Sequence, residues 1–123
     1  MMITLDHVGI PARDAEASAR FLSEILGLGP AWPEGPDGEM YRLTIAENVS
    51  LLFSNADPAP TQHIAFRVDE ATFTTVVDRL RAKGSAFGND PEDLTNGQTS
   101  DPLGGAGRVY FFDPNGHLFE VVF

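Results

Sequence analysis

Cysteine is absent from this sequence of 123 residues. The absence excludes disulfides and thiolate metal ligands and fits a reducing compartment, so any bound metal ion must be held by histidine, carboxylate or carbonyl groups. Basic residues are also scarce, since eight Lys and Arg stand against eighteen Asp and Glu and the formal net charge is −10. Such an acidic chain repels phosphate backbones and anionic lipids, so we expect neither nucleic acid nor a membrane surface as a partner.

Long apolar runs are missing as well. No stretch approaches about eighteen consecutive apolar residues, and the start, MMITLDHVGI, has no basic leader. These absences predict a cytoplasmic protein. The length suits one domain with a single hydrophobic core.

The first half of the sequence combines strand and helix patterns. The run ITLDHVGI predicts a strand, and RDAEASARFLSEILGLG predicts a helix that is capped by Asp14 and ended by Gly27 and Gly29. A loop rich in Pro and Gly follows. Two apolar runs, MYRLTIA and VSLLFS, then flank Glu47 and Asn48, which indicate a hairpin turn.

The same pattern starts again after NADPAP. The run QHIAFRV predicts a strand, and the next segment predicts a helix that is capped by Asp69 and ended by Gly84. The apolar residues of this helix recur at helical spacing: Phe73, Val76, Val77 and Leu80. A short run SAFGN, a polar loop over 90–107 and the strands RVYFF and HLFEVVF around the turn DPNG complete this half.

We interpret each half as strand, helix and three strands. The predicted fold class is α+β, a single domain over 1–123 built from two βαβββ modules, at about 1–55 and about 61–123. The modules are expected to form a cup-shaped mixed sheet with the helices on its outer face. Two unrelated α+β halves are the alternative.

Strand alternation places three chemically versatile residues together. Side chains point alternately to the two faces of a strand, and the larger apolar sets should pack on the helices. This leaves His7, His63 and Glu120 on the inner surface of the predicted cup.

Two imidazoles and one carboxylate form a ligand set that leaves open positions on a metal ion. The set suits Fe(II), Mn(II), Co(II), Ni(II) or Zn(II), and one such ion would balance the charge of Glu120 among its apolar neighbours. Taken alone, Glu120 could be an exposed glutamate of an edge strand, and each histidine could be hydrogen-bonded inside a core. His7 and His63 occupy matching positions in the two halves, which favours the metal interpretation.

The motifs LDHVGI, QHIAFRV and YFFDPNGHLFEVVF resemble those of the vicinal oxygen chelate superfamily. That superfamily includes glyoxalase I, bleomycin-resistance proteins, fosfomycin-resistance transferases and extradiol dioxygenases, and the resemblance spans nearly the whole chain. It implies a homodimer, a small-molecule substrate and a divalent metal ion that chelates neighbouring substrate oxygens. By motif position, His7, His63 and Glu120 match the metal ligands.

The sequence departs from particular members of the superfamily. Glyoxalase I of the usual type has a fourth, carboxylate ligand at a position that Leu51 or Leu52 occupies here. Fosfomycin-type transferases extend beyond the ligand strand, whereas this sequence has only three residues after Glu120. Extradiol dioxygenases resemble it in their two His and one Glu and in a tyrosine ten residues before that Glu, which is Tyr110 here.

Several further residues are weaker candidates. Tyr110 is a catalytic candidate if the last hairpin brings it to the face of Glu120, and otherwise an aromatic residue of the barrel wall. Arg67, Arg108 and Trp32 are substrate-binding candidates, although a solvated arginine at a strand end is the preferred interpretation of each arginine. His117 is assigned to the turn and not to catalysis.

These observations predict a metal-dependent enzyme with dioxygenase-like cleavage as the leading function. A glyoxalase-like lyase or isomerase is the first alternative, but the missing carboxylate removes the expected base. A metal-free drug- or metabolite-binding protein, similar to bleomycin-resistance proteins, is the second. Its acidity would suit a cationic ligand.

Overall fold

The computed structural model describes all 123 residues and contains seven strands and two helices. The strands form one sheet of four and one of three, so the predicted mixed α+β class is confirmed. The chain divides into two compact units, Met1–Thr61 and Gln62–Phe123. The prediction of a single domain stays a prediction. Neither helix is long and apolar enough to cross a membrane.

The first unit has the predicted order of strand, helix and three strands. The elements are β1 (His7–Ala12), α1 (Ala15–Leu26), β2 (Trp32–Glu34), β3 (Met40–Ala46) and β4 (Val49–Asn55). Strand β1 lies parallel to β4, and the sheet order is β1-β4-β3-β2 with the remaining pairs antiparallel.

Helix α1 begins and ends where the sequence predicts. The Asp14 carboxylate accepts a hydrogen bond from the Ala17 amide at 3.1 Å, which satisfies one free N–H of the first turn. Gly27 ends the helix with φ of 70°, a conformation that glycine adopts without strain. The buried side of α1 packs with the fully buried strand residues Ile10, Leu43 and Phe53 in the core.

The turn between β3 and β4 was also predicted, whereas the position of β2, the third strand expected in this half, was not. Asn48 has φ of 64° in the hairpin turn, a conformation that asparagine tolerates. Strand β2 lies in the loop rich in Pro and Gly and pairs at the edge of the sheet. Pro33 is tolerated there because an edge strand needs fewer backbone donors.

The second unit differs from the prediction in one strand. Its elements are β5 (His63–Arg67), α2 (Glu70–Lys83), β6 (Arg108–Phe112) and β7 (Leu118–Val122), in the sheet order β5-β7-β6. The run SAFGN forms only an isolated bridge between Gly88 and Tyr110 instead of a strand. The side chain of Asn89, the last residue of this run, bonds to Ser100 and Asn96 in the polar loop.

Helix α2 matches its prediction in caps and core. The Asp69 side chain accepts a hydrogen bond from the Thr72 amide at 2.8 Å, and Gly84 ends the helix with φ of 72°. The pKa of Asp69 is lowered chiefly by a hydrogen bond with the Thr72 side chain, and the Thr72 amide adds to this effect. All four apolar residues predicted at helical spacing are buried: Phe73, Val76, Val77 and Leu80.

Candidate functional site

One face of the sheet in the second unit carries most of the predicted polar residues. Residues paired across neighbouring strands point to the same side of a sheet. Ala65 on β5 and Tyr110 on β6 are both paired with Glu120 on the central strand β7. This side, called the Glu120 face below, therefore carries His63, Arg67, Arg108, Tyr110 and Glu120.

His63 and Glu120 meet on this face. Nε2 of His63 lies 2.9 Å from Oε1 of Glu120, with the histidine half exposed and the glutamate side chain only 8% exposed. Two neighbouring ligands at about 2.1 Å from one metal ion and at right angles would lie about 3 Å apart. The two atoms therefore have a spacing that suits a shared divalent ion.

Arg108 binds the other oxygen of Glu120. Its Nη1 donates a short hydrogen bond to Oε2, and its Nε donates to Oδ1 of Asp101 at 2.9 Å. The Arg108 side chain is only 16% exposed. The interpretation of Arg108 as a solvated strand-end arginine is therefore wrong, because both of its ends are held by buried carboxylates. The guanidinium also balances the charge of Glu120 inside the protein.

Asp101 anchors this arginine from the polar loop. Its side chain is 3% exposed and accepts backbone hydrogen bonds from Leu103 at 2.9 Å and Gly105 at 3.1 Å. The hydrogen bond from Arg108 is the main cause that lowers the pKa of Asp101, and the Leu103 amide adds to it. Asp101 therefore remains ionised at neutral pH.

Tyr110 lies on the Glu120 face, which the sequence left open. It is paired directly with Glu120 and is 4% exposed. Its ring centroid lies 6.1 Å from that of His63. The register of the last hairpin thus brings the tyrosine beside the two candidate ligands.

The first unit has a corresponding face around His7. The paired row of Trp32, Arg42, Leu52 and Gly9 crosses this sheet, and alternation along β1 puts His7 on the same side as Gly9. We call this side the His7 face. Trp32 is 64% exposed on it, so a predicted substrate-binding residue shares a face with a predicted metal ligand.

His7 is oriented by its neighbour in the sequence. Its Nδ1 lies 2.7 Å from Oδ2 of Asp6, and its side chain is 47% exposed. Histidine ligands of metals commonly bond through one ring nitrogen to a carboxylate and use the other nitrogen for the ion. This contact leaves Nε2 of His7 as the ring nitrogen that could hold a metal ion.

An ion pair on the His7 face was not predicted from the sequence. Nε of Arg42 donates to Oε1 of Glu34 at 2.7 Å. This hydrogen bond is the main cause that lowers the pKa of Glu34 and raises that of Arg42. The signal in the sequence was an arginine inside the apolar run MYRLTIA, but its acidic partner lies in a loop that was not predicted to contain a strand.

The structure does not assemble the three predicted ligands into one group. No cluster of three or more His, Asp or Glu side chains is close enough to hold a metal ion. His63 and Glu120 form a pair, and His7 belongs to the other compact unit. The set of three ligands therefore stays a prediction.

The remaining candidates are placed as follows. Arg67 is exposed at the end of β5. His117 is 1% exposed just before β7, where its Nδ1 accepts a hydrogen bond from the Gln62 amide at 3.0 Å. Its Nε2 is buried without a hydrogen-bond partner. These contacts agree with a structural role at the turn.

A cleft within the first unit lies elsewhere. It has a volume of about 600 Å³ and is lined by residues of α1, of the segment after it and of β3: Arg20, Ser23, Glu24, Gly27, Leu28, Pro30, Ala31 and Tyr41. None of the predicted site residues lines it. The candidate site is therefore defined by side chains on open sheet faces.

Comparison with known proteins identifies the family. A family model described as "Glyoxalase/Bleomycin resistance protein/Dioxygenase superfamily" matches residues 4–121. The chain belongs to this superfamily. Members of this superfamily typically use a divalent metal ion and small-molecule substrates, and many are dimers.

Two solved structures with more than 30% identity to this chain agree with this assignment of the fold. The chain is similar to "Oxidase ChaP-H1" (35% identity, TM-score 0.87, covering 98% of this chain and 95% of the other). It is also similar to "Oxidase ChaP-H2" (36%, 0.87, 99% and 94%). A glyoxalase/dioxygenase from Nostoc punctiforme shares the fold at 21% identity (0.70, 96% and 88%). A search of curated proteins found no match.

The strand registers decide which leucine takes the position of the superfamily's fourth ligand. Gly9 lies two residues after His7 and is paired with Leu52. In the second unit, Ala65 lies two residues after His63 and is paired with Glu120. Leu52 is thus the counterpart of Glu120. It is half-buried on the His7 face, whereas Leu51 is 4% exposed in the core.

Proposed function

We propose that this protein is a metal-dependent enzyme that acts on a small substrate with neighbouring oxygen atoms, by oxidase- or dioxygenase-like chemistry. The observation that carries the proposal is the 2.9 Å separation of His63 Nε2 and Glu120 Oε1, which suits two ligands of one ion. The name "oxidase" on two relatives at 35% and 36% identity supports the reaction class.

In this proposal His7, His63 and Glu120 hold one divalent ion, with Fe, Mn, Ni, Co and Zn as the possible metals. When bound, the ion would supply Lewis acidity or a position for dioxygen. Asp6 orients His7 through Nδ1, and Arg108 fixes the second oxygen of Glu120. Asp6 and Arg108 thus hold two of the three proposed ligands in position.

The other face residues would act on the substrate. The Tyr110 hydroxyl would donate a hydrogen bond to a substrate oxygen beside Glu120. Trp32 and Arg67, both exposed, would contact the body of the substrate and an acidic group on it. Arg108 was proposed for substrate binding too, but its bonds to Asp101 and Glu120 favour a supporting role.

A metal-free binding protein is the second candidate, and one observation favours it. Arg108 already balances the charge of Glu120, so a metal ion is not needed to keep this carboxylate buried. A glyoxalase-like isomerase is less well supported, because Leu52 stands where a carboxylate base would be expected. A homodimer and a cytoplasmic location remain parts of the proposal.

The test is the metal content of protein that is purified without chelators or oxygen. We expect about one equivalent per chain, with His7→Ala, His63→Ala and Glu120→Gln each losing it. Glu92→Gln, an exposed carboxylate change, is the matched control. Iron would direct the next assays to dioxygen uptake with a panel of catechols. Wild-type protein that neither retains nor takes up metal would contradict the proposal and favour the binding protein.

A further inference from the structure

A chain of three charged side chains crosses the Glu120 face. Asp101 accepts from Arg108 at Nε (2.9 Å, Oδ1) and at Nη2 (3.4 Å, Oδ2), and Nη1 of Arg108 donates to Oε2 of Glu120. The exposed fractions of the three side chains are 3%, 16% and 8%. This is a desolvated network, in which each charge depends on its neighbours.

Asp101 is the fixed end of the network. Besides Arg108, its two oxygens accept the amides of Leu103 and Gly105. A Cβ atom at position 105 would collide with the Asp101 carboxylate, so a residue without a side chain is needed for this approach. The loop packs closely around the Asp101 carboxylate, and these contacts hold the carboxylate in one orientation.

The charges of the network decide what Glu120 can offer. Asp101 and Arg108 together are neutral, so the three residues carry one net negative charge. If Asp101 lost its charge, the guanidinium would balance Glu120 alone, and the network would be neutral. A divalent cation would then have to compete with the guanidinium for the single remaining negative charge, that of Glu120, in a site of low dielectric constant.

We propose that Asp101 is a positioning residue of this site, which holds the Arg108 guanidinium and its charge so that Glu120 keeps Oε1 for a divalent cation. The inference rests on the proposed function. In this arrangement Arg108 holds Oε2 of Glu120 by a hydrogen bond, and the loop residue Asp101 holds Arg108 in place. Residues that orient metal ligands typically change metal affinity 10- to 100-fold when they are substituted.

Titration of metal-free protein with Co²⁺, followed by calorimetry and by visible absorption, tests this role. We expect Asp101→Asn to raise the Kd for Co²⁺ by about tenfold or more. Asp93→Asn, which makes the same charge change at an exposed position of the same loop, should leave the Kd within about twofold of the wild type. The double variant Asp101→Asn, Arg108→Gln should bind Co²⁺ more tightly than Asp101→Asn, because the competing guanidinium is gone.

The outcomes separate the inference from the function on which it rests. Wild-type protein without Co²⁺ binding would overturn both. Normal wild-type binding with an unchanged Kd for Asp101→Asn would overturn the inference alone. A double variant that binds Co²⁺ more weakly than Asp101→Asn would also overturn the inference. Two substitutions that only damage the fold would weaken binding additively, whereas removal of a competing guanidinium would restore binding.

Discussion

Tyr110 lies directly opposite Glu120 in the antiparallel pair of β6 and β7. Residues paired in this way have neighbouring side chains on one face of a sheet. The ring centroid of Tyr110 is also 6.1 Å from that of His63. The tyrosine therefore has both candidate ligands of the second unit as neighbours, and a role in the reaction can be separated from a role in the fold by removing its hydroxyl.

The first prediction concerns this hydroxyl. We expect Tyr110→Phe to lower kcat by about 100-fold, because one lost donor to a developing charge has an effect of this size, and to leave the Kd for Co²⁺ unchanged. The rate would be measured as dioxygen uptake with the catechol that the wild type turns over. Tyr41→Phe, at the other tyrosine of the chain, is the control. An unchanged kcat would contradict the assignment.

The second prediction separates Leu51 from Leu52. Leu51→Glu should destabilise the fold by about 4 kcal/mol or more, because it places an unpaired carboxylate in the core. Leu52→Glu should cost only about 1 kcal/mol, since Leu52 is half-buried and is paired with Arg42 across the strands. Urea unfolding of both variants provides the measurement. Equal losses of stability would mean that the register is wrong.

The third prediction concerns acid stability. The pKa of Asp69 is lowered in the folded protein, so its contribution is present above the unfolded value of about 3.9 and is lost as the pH falls through the folded value. Asp69→Asn keeps a capping group without a charge. We expect the wild type to have the higher urea midpoint at pH 7, and the difference to shrink as the pH falls below about 3.9 and to be lost once Asp69 is protonated in the folded protein. A difference that does not depend on pH would contradict this linkage.

The fourth prediction concerns a close approach of the backbone to the core. A Cβ at Gly107 would meet the rings of Phe123 and Phe73, whose centroids are 4.7 Å apart. We expect Gly107→Ala to destabilise the fold by about 1 to 3 kcal/mol through overpacking. Gly29→Ala is the control, since nothing lies within 4 Å of a Cβ there. Thermal unfolding of the two variants would show the difference.

The helices and their ends could be predicted because their causes are local. Asp14 and Asp69 cap helices through amides three residues later, and Gly27 and Gly84 end them with positive φ. Each of these contacts lies within one helical turn. Alternation along β5 and β7 likewise placed His63 and Glu120 on one face, because it follows from the pleat of a strand.

Pairing between strands could not be predicted in the same way. The choice between Leu51 and Leu52, and the position of Tyr110, both depend on register, which a sequence does not state. The run SAFGN forms one bridge instead of a strand, and the side chain of its Asn89 bonds to Ser100 eleven residues later. Contacts between residues this far apart in the sequence leave no periodic pattern in it.

The partner of Arg108 was the largest gap in the predicted site. An arginine at a strand end is usually solvated, and nothing in the run RVYFF indicates a buried partner for Arg108. Its partner, Asp101, lies in a polar loop without regular structure, where no pattern distinguishes a buried aspartate from an exposed one. Only the folded loop brings the two side chains together.

The closeness of Gly105 to Asp101 has a consequence for how this protein tolerates change. Gly105 is an exposed loop residue, a kind of position at which substitutions usually pass unnoticed. Here any side chain would push against the carboxylate that holds Arg108. Genetic variation at this surface glycine should therefore be constrained together with Asp101 and Arg108, and an inherited change at one of the three should alter which residues are acceptable at the other two.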